Sequence, residues 1–480
     1  MLFPEQTVEQ TEDDIFAQEM DYKQKLTLIE DKMADEGLPD LFIRTFAYYY
    51  ERLVLGETGL IPESTIESVD TLPDVEQFSV HYADIGQAAL GKTAVIKLNG
   101  GLGTSMGLER AKSLLPVKNG RSFLEVIAKQ TEKAEIPLVL MNSFSTEEDS
   151  KRVLQPIADN SEFTYYTFIQ NKEPKIRQDD LMPVTWEKNP ELAWCPPGHG
   201  DIYIALVTSG TLDTLLDAGI EYAFVSNSDN LGAVVDLSIL GYFAEHRIPF
   251  MMEVADRTEM DKKGGHLAQC PDGQLILRES AQCPPEDEDA FQDISRHKFF
   301  NTNNLWFHLP SIKRILVEQE YQLGLPMIRN SKTVDPRDCE STPVYQLETA
   351  MGSAIAVVKG AQAVRVPRSR FAPVKTTNEL LLVRSDVYEL TDAFEVLPKN
   401  GRKRKPNISL DNLYYKIISD FDARFPNGVP SLQECRNFKV EGDFLFGRGV
   451  VCVGDVHLIS TSSKQVYIED GTILNGRLEY

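Results

Sequence analysis

Apolar positions along the 480-residue chain fall into distinct regimes. Over "DLFIRTFAYYYERLVLGE" they recur at helical spacing, which predicts a helical, acidic layer across residues 1–78; the run Tyr48, Tyr49, Tyr50 reads as packing against the next domain. From 79 to 385 short apolar runs alternate with amphipathic segments. "TAVIKLNG" (93–100) and "PLVLMNSF" (137–144) read as strands, and "SFLEVIAKQTEKA" (122–134) as a helix. "TEEDSKRVLQPIA" (146–158) reads as a helix opened by a capping-box-like spacing of Thr146 and Asp149. "FTYYTFIQ" (163–170) follows, then 201–219 as one helix with a glycine stop and "YAFVSNSDN" (222–230) as a strand. This rhythm predicts an α/β fold with a mixed, mostly parallel sheet and helices on both faces. In such sheets ligands gather beyond the carboxyl ends of the strands. A helical linker is expected over 386–426, and the β-branched, glycine-punctuated pattern of 427–480 predicts a C-terminal β-helix of short stacked strands.

Composition narrows the function. The formal net charge of −24 disfavours a nucleic acid polymer as partner while leaving small anions open, since a few lysines in a cleft reverse the local field. No window approaches the roughly 18 apolar residues of a membrane span, and the first residues are acidic where a targeting peptide is basic, so no membrane partner and a cytoplasmic location are expected. The basic cluster "KNGRKRKPN" (399–407) reads as a solvated loop. Cys195, Cys270, Cys283, Cys339, Cys435 and Cys452 show no metal-ligand or disulfide spacing and are read as reduced, mostly buried thiols.

The stretch "AVIKLNGGLGTSMGLERAKS" (94–113) follows a strand with four glycines bracketed by Lys97 and Lys112. A P-loop requires G-x-x-x-x-G-K-[ST], which is not present. A dinucleotide fingerprint is missed by one residue, and the next strand ends in Met141, Asn142 and Ser143 rather than the acidic residue that would hold a ribose. The third candidate is a nucleotidyltransferase loop, in which glycine amides wrap a triphosphate and a lysine at the far end neutralises it.

"KLNGGLGTSMG" with "AKSLLPV" closely resembles the signature of the eukaryotic-type UDP-glucose pyrophosphorylase family. "LVLMNSF", "WCPPGHGD", "FVSNSDNLGA", "FNTNNLW", "QLETAMGSAI" and "VPRSRFAPVKTTNELLLV" match it in the same order, from about residue 35 almost to the end. The resemblance implies a Rossmann-like nucleotidyltransferase that makes UDP-glucose and pyrophosphate from UTP and glucose 1-phosphate with Mg2+. It implies Leu98, Asn99, Gly100 and Gly101 at the nucleotide, Lys112 and Lys375 as the catalytic phosphate lysines, and Met141 and Gln170 at the uracil. It further implies Gly198 at the uridine, Asp229 as metal ligand, and His199, Asn227, Ser228, Lys263 and Asn303 around the sugar phosphate. Asn301 and Asn304 are read instead as satisfying local backbone. The chain departs from the family at "LERAKS", where members usually have Lys-Gly-Pro before the loop lysine; Glu109 and Arg110 thus change the charge at the loop exit. A homo-oligomer, if formed, is expected through the C-terminal domain. The rival readings are a broad-specificity UDP-sugar pyrophosphorylase and a catalytically silent nucleotide-sugar sensor; the latter would be expected to lack Lys112, Asp229 or Lys375, and all are present.

Overall fold

A computed structural model describes residues 12–399, 405–462 and 464–480, with side chains described from Asp21 onward. Helices α1 (Glu12–Asp35) and α2 (Asp40–Val54) form the amino-terminal layer. The apolar stripe of α2, Phe42, Ile43, Phe46, Tyr50 and Leu53, is buried in the same cluster as Ala94, Ile96 and Val139 of the central sheet. Tyr50 is fully buried and donates to the Leu181 carbonyl at 2.8 Å, so the tyrosine run does pack onto the next layer.

The central sheet has nine strands. Its parallel half comprises β1 (Thr93–Asn99), β2 (Leu138–Asn142), β3 (Tyr165–Ile169) and β4 (Tyr222–Asn227), joined in part through α3 (Phe123–Lys133) and α4 (Glu147–Ala158). Beyond it lie β5 (Phe250–Asp256), β6 (His266–Gln269), β7 (Leu275–Arg278), β8 (Phe299–His308) and β9 (Gln362–Arg365). The order β7-β6-β8-β4-β1-β2-β3, with β5 paired to β8 and β9, makes the sheet mixed, because β8 runs antiparallel to β4, β5 and β6. β1 has β2 on one side and β4 on the other, both parallel to it. The chain therefore reverses its direction of travel across the sheet at β1 and β4, and an open crevice forms at their carboxyl ends.

Alternate residues of β1 feed two cores: Val95 joins one cluster and Ala94 and Ile96 the other. The first of these clusters continues without interruption into the C-terminal module through Tyr415, Phe421, Phe425 and Leu432. That module stacks β10 (Ser431–Glu441), β11 (Val451–Ile459) and β12 (Ile473–Glu479) in parallel, as stacked β-helix strands do.

Several local expectations are corrected. The segment 201–219 is two helices, Ile202–Thr208 and Thr211–Asp217, because Gly210 adopts a left-handed conformation (φ 74°) and Ser209 Oγ accepts the Thr211 N–H, breaking the ladder. Thr146 makes no cap bond to α4; its hydroxyl accepts the Ser143 N–H instead. The span 386–426 is only partly helical: it holds a hairpin, Tyr388–Leu390 with Val396–Pro398, and a strand, Asn407–Leu410, that pairs with β10 before two short helices, Asn412–Tyr415 and Ile418–Arg424. Within the basic cluster, residues 400–404 lie outside the described residues. Cys195, Cys435 and Cys452 are buried, whereas Cys339 is exposed. Among the described residues no helix is long and apolar enough to cross a membrane.

Behind the crevice lies a buried polar hub. Glu253 on β5, fully buried, accepts two bonds from the Arg370 guanidinium (2.7 Å each), one from Trp306 Nε1 (2.9 Å) and one from Asn304 Nδ2 (3.0 Å). Removing one partner of such a pair strands a charge away from water. Glu253→Gln is expected to destabilise the fold by about 3–5 kcal/mol, read as a lowered urea midpoint; an unchanged midpoint would show that Arg370 finds water.

Candidate active site

The candidate residues are carried on the strand ends that border the crevice. Pairing aligns Leu98 with Met141 on one side and Asn227 on the other, and the Ser228 N–H donates to the Leu98 carbonyl at 3.1 Å. The loop after β1 turns through Gly103 and Gly107, both left-handed (φ 68° and 72°), and returns so that the Lys112 N–H donates to the Gly101 carbonyl at 3.0 Å. Side chains other than glycine rarely adopt that backbone, so both glycines serve the turn. The Lys112 stem lies against Gly103, and its ammonium reaches Asp229 Oδ2 at 2.6 Å, with both side chains partly exposed. The departures Glu109 and Arg110 are exposed.

Lys375 is brought to the same place by backbone pairing. Pro373 bridges to Asn230, and the Val374 N–H donates to the Asp229 carbonyl at 3.2 Å. The Lys375 side chain is exposed, 6.0 Å from the Phe371 ring centroid. Its unusual apolar neighbours in sequence therefore anchor the loop rather than bury the charge.

A second group gathers around Asn301. Asn303 sits on the bulge of β8 in a left-handed conformation (φ 57°), stabilised by paired bonds with Asn301: its N–H donates to Asn301 Oδ1 at 2.9 Å, and Asn301 Nδ2 donates to its Oδ1 at 2.8 Å. A non-glycine residue held there marks a site where the surroundings impose the backbone. Lys263 is exposed on the loop 258–265, whose Gly265 carbonyl accepts the Asn301 N–H. Arg257 Nη2 pins that loop through the Asp261 and Lys262 carbonyls, at 3.3 and 3.0 Å. Half-buried Glu279 also faces Asn301 and feels the charge of Lys375; burial pushes its carboxyl above the usual range, while the Asn301 bond and Lys375 pull it back. Sequence reasoning missed Glu279, which stands in a plain surface-like stretch, "LRESAQ", with no motif around it.

His199 joins this group through the Met351 N–H, which donates to its Nδ1 at 2.9 Å, while the adjoining Gly352 packs beneath Asn301. An acceptor at Nδ1 leaves the ring proton on Nε2, and burial pushes the imidazole down to about 4. His199 is therefore a neutral donor, not a proton shuttle. Asp201, two residues on, ties this loop to the end of β3 by accepting the Asn171 N–H and Nδ2 at 2.6 and 2.8 Å. Next to Asn171, the Gln170 amide lies against Gly100.

Three of the expected residues also have structural duties. Asn99 Nδ2 donates to Asn142 Oδ1 (2.6 Å) and Ser150 Oγ (2.8 Å), so its side chain ties β1 to β2 and α4. The Met141 side chain is buried in the apolar core, leaving only its backbone at the strand end. Gly198 is dictated by packing and by its left-handed backbone (φ 78°): a Cβ there would lie 2.5 Å from the Thr349 carbonyl oxygen. Asn301, read as serving local backbone, does so through Asn303, and Asn304 belongs to the Glu253 hub.

A family model described as UTP--glucose-1-phosphate uridylyltransferase matches residues 43–452. The chain is 40% identical over 421 residues to a probable UTP--glucose-1-phosphate uridylyltransferase of Schizosaccharomyces pombe, covering 86% of this chain and 80% of that one. It is 42% identical over 402 residues to the barley (Hordeum vulgare) UTP--glucose-1-phosphate uridylyltransferase, covering 82% and 83%. Among solved structures, a variant of UDP-glucose pyrophosphorylase from Leishmania major in complex with UDP-glucose superposes with a TM-score of 0.86 at 43% identity, covering 95% of this chain and 99% of that one.

Because the folded-state value of His199 lies below its ordinary 6.5, folding favours the neutral ring. Its contribution to stability is complete above pH 6.5 and is lost as pH falls toward 4. Nitrogen-15 spectra are expected to show His199 as the Nε2–H tautomer, without titration, from pH 8 down to about pH 5; a midpoint near 6.5 would contradict its burial.

Proposed function

The chain belongs to the UTP--glucose-1-phosphate uridylyltransferase family, and we propose that the crevice at the ends of β1 and β4 is where it joins UTP and glucose 1-phosphate into UDP-glucose with release of pyrophosphate. The observation that carries this reading is the meeting of the glycine loop's Lys112 with Asp229 at 2.6 Å, across the point where the strand order reverses.

The chemistry follows from the charges. A sugar phosphate has a second pKa of about 6 and is largely dianionic at neutral pH, so its oxygen attacks the α-phosphorus of UTP without a general base. A new bond forms between that oxygen and the α-phosphorus, the bond to the bridging α–β oxygen breaks, and pyrophosphate leaves with its electron pair. The obstacle is repulsion between two polyanions, which positioned cations and amide groups relieve. Lys112 and the amides of Gly100 and Gly101 take the triphosphate, and Lys375 enters from the opposite wall toward the transferring phosphoryl. Leu98 flanks the nucleotide and the Gln170 amide pairs with the uracil edge. Lys263 and the Nε2–H of His199 meet the sugar phosphate. Asn227, Ser228 and Asn303 surround the sugar nucleotide, and Glu279 accepts from a glucose hydroxyl.

Asp229 is suited to hold a divalent cation, Mg2+, by its chemistry: it is a partly exposed carboxylate at a strand end, and hard cations beside phosphates are commonly bound through one or two carboxylates and the phosphates themselves. Held by Asp229, the cation would supply neutralisation of the triphosphate charge, and Lys112 would be free to pair with phosphate oxygens. A cytoplasmic location fits this soluble-substrate chemistry, and self-association through the C-terminal module remains part of the proposal, β12 being its outermost strand.

The test is Mg2+-dependent pyrophosphate release from UTP and glucose 1-phosphate, run in both directions and repeated with galactose 1-phosphate and N-acetylglucosamine 1-phosphate. Glucose 1-phosphate is expected to be the preferred substrate; equal rates on all three would favour the broad-specificity reading, and UDP-glucose binding without turnover the silent sensor. Lys375→Ala is expected to keep the fold and lower kcat by about three powers of ten, a size typical of lost transition-state electrostatics. A rate within tenfold of wild type removes Lys375 from the reaction. Glu279→Gln is expected to raise KM for glucose 1-phosphate about tenfold while leaving that for UTP unchanged, the loss of one charged hydrogen bond.

A further inference from the structure

We propose that Lys118 is a positioning residue for this reaction: without reaching the substrates, its buried ammonium buckles the segment carrying Lys112 to the helix that follows Lys375, and so fixes the spacing of the two cations. The inference rests on the roles proposed above for Lys112 and Lys375.

After Lys112 the chain makes one 3-10 turn, Lys112–Leu114, and enters a small hairpin, Pro116–Lys118 with Arg121–Ser122. Lys375 stands immediately before helix α5 (Thr377–Arg384), whose start is fixed by a capping box between Thr376 and Glu379. The last carbonyls of a helix have no partner within it and carry partial negative charge. Lys118 supplies that partner: its Nζ donates to the Ser385 carbonyl at 2.5 Å and the Val383 carbonyl at 3.1 Å, with the Arg384 carbonyl at 3.5 Å. The helix reciprocates. Arg384 Nε and Nη2 donate to the Pro116 carbonyl at 3.1 and 2.8 Å, while Nη1 reaches Asp422 of the C-terminal module at 2.5 Å.

An eight-residue helix is about 12 Å long and moves as a rigid rod. Its head is fixed to the Asp229 loop by the Val374 N–H, and its tail to the Lys112 segment by Lys118 and Arg384. Among the described residues the buried Lys118 ammonium donates only to carbonyls. A plain cap on a solvated helix end does not call for burying a charge, which is costly. Burial lowers Lys118 to about 8, with Asp386 and Glu389 raising it and Lys399 lowering it; the guanidiniums of Arg384 and Arg121 lie on the two flanking elements. The buckle is therefore expected to slacken in mild alkali, as the amine keeps fewer donors.

Steady-state kinetics on the full chain test this, with folding checked by circular dichroism and UDP-glucose binding by calorimetry. Lys118→Met is expected to lower kcat by about 10–100-fold, with KM for both substrates and UDP-glucose affinity within about threefold, because misplacement of roughly 1 Å costs rate rather than binding. Lys118→Arg, whose charge does not titrate, is expected to restore kcat to within about fivefold and to lack the decline above pH 8 expected of wild type. Arg384→Gln, which opens only the outer half of the buckle, is expected to reduce kcat by about 3–10-fold. The proposal is overturned if folded Lys118→Met keeps kcat within threefold, if only KM changes, or if kcat falls no more than the folded fraction does. Should Lys118→Met fail to fold, wild-type kcat in Arg384→Gln overturns it. An inactive wild type would instead sink the function proposed above.

Discussion

The crevice depends on the buried carboxylate of Glu253. It holds Arg370, five residues before Lys375, and Asn304, next to Asn303, while Asn230, next to Asp229, donates to the Arg370 carbonyl and faces Asn304 Oδ1. Three loops from distant parts of the chain thus share one anchor behind the sheet. Lys97 adds a second brace from β1: its ammonium donates to Ser226 Oγ at 2.7 Å and the Ala233 carbonyl at 2.9 Å, on either side of Asp229. Fully buried, it is pushed down to about 7. Buried polar groups of this kind are costly unless satisfied, and once satisfied they specify a single arrangement. A reaction that works by placing charge, with no covalent intermediate, needs that specification more than it needs a reactive side chain.

The overall negative charge of the molecule does not conflict with polyanionic substrates. Charge acts over a distance of about 8–10 Å at ordinary ionic strength, so the field inside a crevice is set by what lines it. The lysines proposed for it, Lys112, Lys263 and Lys375, come from three separate loops, and Lys112 is partnered by Asp229. The pairing keeps the ligand-free crevice from concentrating positive charge.

Much of this was legible in the chain. The parallel half of the sheet announced itself because strands buried on both faces are apolar runs, as in "TAVIKLN" and "LVLMN". The glycine loop, Lys112 and Asp229 were legible from strand ends and their resemblance to a family. The antiparallel strands β6 and β7 were not, being short and polar at their borders. The direction in which a side chain turns was not legible: Asn99 and Met141 both lie at strand ends, yet one faces a polar network and the other the core. Glu253, in the apolar run "FMMEVA", was a visible anomaly; its partner Arg370 is 117 positions away, and no local pattern connects them. Gly210 and the hairpin at 388–398 show the same limit, since periodicity fixes a segment's composition but not where a single left-handed residue breaks it.

The glycine loop has a neighbour from the far end of the chain: a Cβ at Gly107 would come within 2.8 Å of Ile417, and Leu410 close by donates its N–H to Asn378 at the head of α5. During synthesis, then, the central sheet can emerge and pair while the glycine loop still lacks one of its walls. Only when the ribosome has released the residues beyond 417 does that loop meet the surface that shapes it. A nascent or prematurely terminated polypeptide would carry the whole central sheet while its glycine loop still lacked that contact.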